Sequence, residues 1–379
     1  MNVRKFATHR GYVKPLVGVV AAAALLLTFW IGIAQTDRLI LTQTAEYDIG
    51  FKCPVTATFN PDFTRLWVLM YGCVSGNYSL HAFDAPDWSP VTLDTGDFGE
   101  QLAIMDNSYI PTEASAMVFT RGDTLDFRYQ DGNTSAYVSL AVDITNGTVE
   151  AVADAFVVSE ETMNGLVPDF AGYPEFAIYN ADHTVAAVPS DTAWIIIDMN
   201  TQTVLFDIQY EVSEGNSAIA SFSPDGTTLY MAELDNPDDF SDYTATLTSY
   251  SLPEGVPGDS LSVPSAFLWV SPDRALAVAL LGEDGDALAI VDLTSGEVSP
   301  PVDIFEAPQR VLRCLNRDSD LSDLNYMSSG KLYVSSLNWL PDSSGFVTVN
   351  SYARDGAGAG GFCAFNFSRL REYTVETGT

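Results

Sequence analysis

The stretch that decides the fold is Phe222-Ser-Pro-Asp-Gly-Thr-Thr-Leu-Tyr230, in which an apolar residue enters a Ser-Pro-Asp-Gly corner and a strand-forming run leaves it. Proline fixes φ at the first turn position, and the aspartate side chain can accept hydrogen bonds from backbone amides two residues on. The corner recurs as Phe59-Asn60-Pro61-Asp62, Val270-Ser271-Pro272-Asp273 and Trp339-Leu340-Pro341-Asp342. Tyr179-Asn180-Ala181-Asp182 is a version with alanine for proline, and Arg121-Gly122-Asp123 is a weak sixth. Glycine follows the aspartate once, at Gly226; Phe63, Arg274 and Ser343 stand there elsewhere. Successive aspartates are 61, 59, 43, 48 and 69 residues apart, which fits four-stranded blades of roughly 40–50 residues with some loop insertions.

Away from the corners the chain is strand-like almost throughout. Trp194-Ile195-Ile196-Ile197, Leu288-Ala289-Ile290-Val291 and Phe346-Val347-Thr348-Val349 are short, β-rich and bounded by Gly, Pro, Asp or Ser, as buried strands of an all-β fold are. Segments 136–149, 194–204 and 287–298 each read strand, polar turn, strand. They supply third and fourth strands.

The nine residues from Phe222 to Tyr230 resemble the WD40-like repeat of TolB-type β-propellers, and the similarity extends over most of residues 53–379. It implies an extracytoplasmic propeller of six, or at most seven, blades that binds proteins or ligands. Residues 35–52 form a linker in which Leu39–Leu41 can pair with the last blade and close the ring. A propeller fold carries no activity of its own.

The 379 residues hold 17 Lys plus Arg against 50 Asp plus Glu, a formal charge of −33, with 47% hydrophobic residues. A chain this apolar can bury a core despite its charge, and a charge this negative repels phosphate backbones and argues against nucleic acid. From Tyr129 to Asp273 there is no Lys or Arg among 145 residues with 23 Asp or Glu. Such a field attracts cationic protein partners, most strongly at low salt; general solubility is the plainer reading.

The amino terminus is different. Residues 1–15 are basic, and Leu16–Ala34 reads LVGVVAAAALLLTFWIGIA, nineteen uncharged residues that as a helix would reach about 28 Å, close to the hydrocarbon thickness of a bilayer. The preceding basic residues place the start of the chain in the cytoplasm and the propeller outside, periplasmic or at the cell surface. A retained signal-anchor and a signal peptide cleaved after Gly32-Ile33-Ala34 are both compatible with these residues; cleavage would make the protein secreted.

In an exported chain the four cysteines are read as two disulfides. Cys53 and Cys73 lie symmetrically about Phe63, so a hairpin turning at the Asn-Pro-Asp corner sets them on neighbouring strands, leaving Cys314 with Cys363.

No residue set specifies a reaction. His81 and His183 have no nucleophile motif beside them, there is no C-x-x-C-H, and metal-ligand spacings of Cys and His are absent. Paired carboxylates some 5–10 Å apart would suffice for a saccharide or peptide hydrolase or lyase, but acidic residues this abundant remove the signal. Asp235, Asp238, Asp239 and Asp242 crowd one loop that offers oxygen ligands for calcium, outside the helix-loop-helix pattern. Arg310, Arg313 and Arg317 recur at spacings that would align them on a helical turn to meet acidic neighbours or an anion. The expectation is an anchored extracytoplasmic propeller acting as a binding or scaffolding module, with a propeller enzyme and a calcium-dependent adhesion module as alternatives.

Overall fold

A computed structural model describes residues 38–50, 53–71, 77–93, 98–102, 117–121, 124–130, 137–152, 158, 160–174, 177–180, 182–210, 218–235, 244–265, 267–282, 287–304, 332–352 and 367–378. They form six antiparallel sheets of four strands. Strand β1 (Arg38–Gly50) opens the chain. Blade I comprises β2 (Cys53–Phe59), β3 (Arg65–Tyr71), β4 (Tyr78–Asp84) and β5 (Ser89–Pro90); blade II comprises β6 (Met117–Arg121), β7 (Thr124–Gln130), β8 (Tyr137–Asp143) and β9 (Thr148–Val152). Blade III holds β10 (Ile178–Tyr179), β11 (Val185–Pro189), β12 (Ala193–Asp198) and β13 (Thr203–Gln209), and blade IV β14 (Ala218–Phe222), β15 (Thr228–Leu234), β16 (Ala245–Ser251) and β17 (Pro257–Val263). Blade V holds β18 (Leu268–Val270), β19 (Leu276–Leu281), β20 (Ala287–Asp292) and β21 (Val302–Asp303). Blade VI is β22 (Leu332–Trp339), β23 (Gly345–Tyr352) and β24 (Phe367–Gly378), completed on its outer edge by β1. The chain is a six-bladed β-propeller.

Radial stacking explains why the strands read as unbroken apolar runs. Side chains alternate between the two faces of a sheet, and here both faces meet a neighbouring blade. In β3, Leu66, Val68 and Met70 pack toward blade VI, while Trp67 and Leu69 pack toward blade II. In β12, Ile195 and Ile197 face one side and Trp194 and Ile196 the other, against blade IV. Each such buried side chain contributes roughly 1.5–3 kcal/mol relative to exposure. Short helices fill two seams: Phe98 and Leu102, at the helix Gly99–Leu102, lie between blades I and II, and Met163, in the helix Glu160–Leu166, packs on blade III.

Tryptophans clasp the seams as well. The indole N–H of Trp194 donates to the carbonyl of Ala218 at 3.1 Å, joining blades III and IV, and Trp339 donates to Trp269 at 2.9 Å, joining VI and V. Trp88 of blade I donates to Glu372 of blade VI at 3.0 Å. A buried indole N–H needs an acceptor, so each of these contacts fixes one blade against the next.

The ring closes where the two ends of the described chain meet. β1 pairs antiparallel with β24 from Arg38 opposite Gly378 to Gly50 opposite Ser368, with irregularities between Gln43 and Ala45 and between Asp48 and Gly50. Leu39 and Leu41 are buried against blade V, together with Trp339, Phe346 and Tyr373. Beyond the first irregularity the pairing turns ionic. Arg369 meets Glu46 at 3.2 Å and Asp48 at 2.9 Å, and Arg371 meets Glu46 at 2.8 Å. Arg371 is only 5% exposed and also donates to the carbonyl of Ile304.

Two expectations change. Arg121 pairs directly with Thr124, so blade II has a two-residue connection and not a sixth corner; Gly122 and Asp123 lie outside the described residues. The hairpin of blade I forms, but its corner already sets Phe59 opposite Leu66, one residue from the symmetric register, and an irregularity between Pro54 and Thr56 adds another, so that Cys53 pairs with Tyr71. Cys73, Cys314 and Cys363 lie outside the described residues, and the disulfides with them. So does the apolar stretch 16–34. Among the described residues no helix is long and apolar enough to cross a membrane.

Candidate functional site

Five corners, each joining the first and second strands of its blade, lie on one side of the ring. Their geometry is the same to within tenths of an ångström. The first residue donates its backbone N–H to the carbonyl of the sixth, and the fourth donates its N–H to the carbonyl of the first: Phe63 to Asn60 at 2.9 Å, His183 to Asn180 at 3.0 Å, Gly226 to Ser223 at 2.9 Å, Arg274 to Ser271 at 2.9 Å and Ser343 to Leu340 at 3.0 Å. The aspartate at the third position accepts from the N–H of the fifth, at 3.3 Å for Asp62 and 3.1 Å for each of Asp182, Asp225, Asp273 and Asp342. Asn60, Asn180, Ser223 and Ser271 add a side-chain acceptor for the sixth N–H. Leu340 has no such acceptor and instead packs against the core between blades VI and I.

The fourth position is left-handed in every corner: φ is 56° at Phe63, 57° at His183, 69° at Gly226, 61° at Arg274 and 59° at Ser343. A type I turn followed by a left-handed residue favours glycine, yet glycine occurs once. The reason lies between blades. Arg274 reaches back to the hydroxyl of Thr227 at 3.1 Å and toward Asp225 at 3.7 Å, and the hydroxyl of Ser343 accepts from the N–H of Asp273 at 3.2 Å. A Cβ on Gly226 would stand 3.1 Å from the amide nitrogen of Asn180. In blades IV to VI the fourth residue therefore touches the preceding corner. Gly226→Ala, which combines left-handed strain with that approach, is expected to lower unfolding free energy by about 1–2 kcal/mol in denaturant titration. An unchanged midpoint would mean that corners III and IV do not touch.

Hydrogen bonding sets the charge state of the corners. The Thr64 hydroxyl holds the Asp62 carboxyl below the ordinary aspartate value, and the Ser344 hydroxyl does the same for Asp342. At Asp225 and Asp273 burial pushes upward, but hydrogen bonds led by the Ser223 and Ser271 hydroxyls outweigh it. The turns between third and fourth strands repeat the device, with the N–H of Asn146 lowering Asp143 and that of Thr201 lowering Asp198. A carboxyl lowered in the folded state stabilises above its unfolded value of about 3.9, and that stability is lost as pH falls through the folded value. The melting temperature is accordingly expected to drop once pH falls below about 4, with Asp225→Asn removing part of the drop; stability that kept rising to pH 2 would exclude this.

The other predicted residues separate from the corners. Asp235 ends β15 on the opposite side of the ring, exposed, its carboxylate accepting from the Thr246 hydroxyl at 2.8 Å. Asp238, Asp239 and Asp242 lie outside the described residues, as do Arg310, Arg313 and Arg317. Among the described residues no group of three or more His, Cys, Asp or Glu is placed to hold a metal. His81 lies in β4 with its ring nitrogen 3.0 Å from the Ser79 hydroxyl. His183 occupies a corner and packs on Tyr179 with ring centroids 5.9 Å apart. No protein-family model matches the chain, and no curated protein matches it. What the geometry supplies is two unlike sides of one ring: short acidic corners that share their backbone hydrogen bonds on one, and on the other the ends of the long connections after β15, β21 and β23.

Proposed function

We propose that this propeller is a TolB-type binding or scaffolding module held outside the cytoplasm by the apolar segment 16–34, and that its partner is a cationic protein surface. The observation that carries the reading is the placement of the acidic stretch. Residues 129–273 contain no Lys or Arg; they run from the end of β7 to the corner of blade V and include all of blades III and IV, which pack side by side. A feature of the linear sequence thus becomes one continuous sector of surface. Asp191, Asp207, Glu233, Asp235, Glu254 and Asp259 are exposed there.

A sector of one sign raises the encounter rate of a positively charged protein and loses that advantage as salt screens it beyond about 8–10 Å. The hydrogen bonds shared by the five corners support the TolB-type reading of the repeat, from whose Ser-Pro-Asp-Gly pattern the four corners without glycine depart. Crosslinking in cells followed by mild detergent extraction should recover a basic protein. Replacing Asp207, Glu233 and Asp259 by lysine should slow its association several-fold at low salt and little at high salt. Association that is independent of salt and of these substitutions would refute the reading.

A further inference from the structure

We infer that the side of the ring carrying the Pro-Asp corners is turned toward the lipid bilayer and that the opposite side is presented to partners. The inference rests on the reading of segment 16–34 as a retained anchor and adds the orientation that such an anchor imposes. The decisive geometry is where β1 begins. As the fourth strand of blade VI, β1 starts at Arg38, paired with Gly378, at the place where blades I to V carry the turn from third to fourth strand. Those turns share a side with the corners, because in an antiparallel blade the first and third connections emerge at the same end. Only residues 35–37 separate Ala34 from Arg38. Four steps of extended chain reach at most about 14 Å. A bilayer receiving residues 16–34 must therefore lie close to the corner-side rim of blade VI and its neighbour, blade V.

The distribution of exposed apolar side chains points the same way independently. Among the described residues, Ile40, Phe63, Val204, Val256 and Val298 are large, apolar and 37–59% exposed, and all five sit at corners, at third-to-fourth-strand turns or in the strand positions next to them. Tyr173 and Phe267 are the two on the opposite side. Scattered apolar groups among carboxylates suit approach to zwitterionic headgroups; the carboxylates of Asp273, Asp292 and Asp342 oppose close contact with anionic ones. The corner side stands near the membrane without entering it.

The test uses the full chain in phosphatidylcholine vesicles that contain a nickel-chelating lipid. A nitroxide is attached at Thr294→Cys, in the third-to-fourth-strand turn of blade V, or at Phe267→Cys, on the opposite side of the same blade; Val256→Cys is a second corner-side position. Native protein treated with the same reagent gives the background from the four cysteines. Relaxation of the nitroxide by surface nickel is expected to be several-fold greater at positions 294 and 256 than at 267. Equal relaxation, or more at 267, in a chain that floats with the vesicles overturns the orientation alone. A chain that fails to float, or whose intact mass lacks residues 1–34, overturns the anchor and the orientation together.

Discussion

Replacing Phe346 by alanine is expected to lower the free energy of unfolding by about 4 kcal/mol, the middle of the range for truncating a buried aromatic residue. Phe346 is fully buried in β23, where blades V and VI meet. Its ring stacks on Tyr373 with centroids 4.9 Å apart and meets Trp339 edge-on at 5.3 Å. Neither neighbour can collapse into the vacated space, because Tyr373 is held in the ladder with β23 and Trp339 is tied by its indole N–H to Trp269. Phe346→Leu, which keeps most of the volume, should show less than half the loss. Truncating exposed Val204 should change stability by no more than about 0.5 kcal/mol. Denaturant titration decides the matter, and a Phe346→Ala loss comparable with that of Val204→Ala would mean that this seam is not packed as described.

Glu46→Ala should be nearly as damaging, at about 3 kcal/mol, and for an electrostatic reason. Removing Glu46 leaves Arg371, 5% exposed, with the carbonyl of Ile304 and no carboxylate. Glu46 itself reaches solvent, its side chain 31% exposed, so the cost falls at the lower end of what stranding a buried charge exacts. The double substitution Glu46→Ala with Arg371→Met should therefore recover much of the loss, since methionine can fill part of the space without a charge. If the double variant is as unstable as the sum of the two single ones, the pair is not coupled. Because Glu46 lies in β1 and Arg371 in β24, the same measurement reports how firmly the ring is closed.

The corners were legible because proline and aspartate act within a few residues of themselves: fixing φ and accepting a nearby N–H require no tertiary partner. The variable fourth position was not legible in the same way. Its left-handed backbone follows from the turn's own hydrogen bonds, but the choice of Arg274 or Ser343 follows from contacts with the preceding blade. Of the closing strand, apolar Leu39 and Leu41 were visible, whereas the polar half from Gln43 to Asp48 resembles a linker until Arg369 and Arg371, more than 320 residues away, are placed beside it. The symmetric spacing of Cys53 and Cys73 about Phe63 did not give the position of Cys53, which stands opposite Tyr71, because the corner already sets Phe59 opposite Leu66 and an irregularity at Pro54–Thr56, which spacing does not reveal, shifts the ladder by one residue more.

By itself, the order of residues determined the repeating corner, the four-stranded unit and the all-β class, because turn chemistry and side-chain alternation are local properties of a polypeptide. It also determined the concentration of negative charge between Tyr129 and Asp273. The tertiary structure alone decided that this charge falls on adjoining blades, from II to the corner of V, that Glu46 neutralises a buried Arg371, and that the chain enters the ring on the corner side. Each of these depends on pairings between segments far apart in sequence, and such pairings arise only when six sheets bury both of their faces against one another.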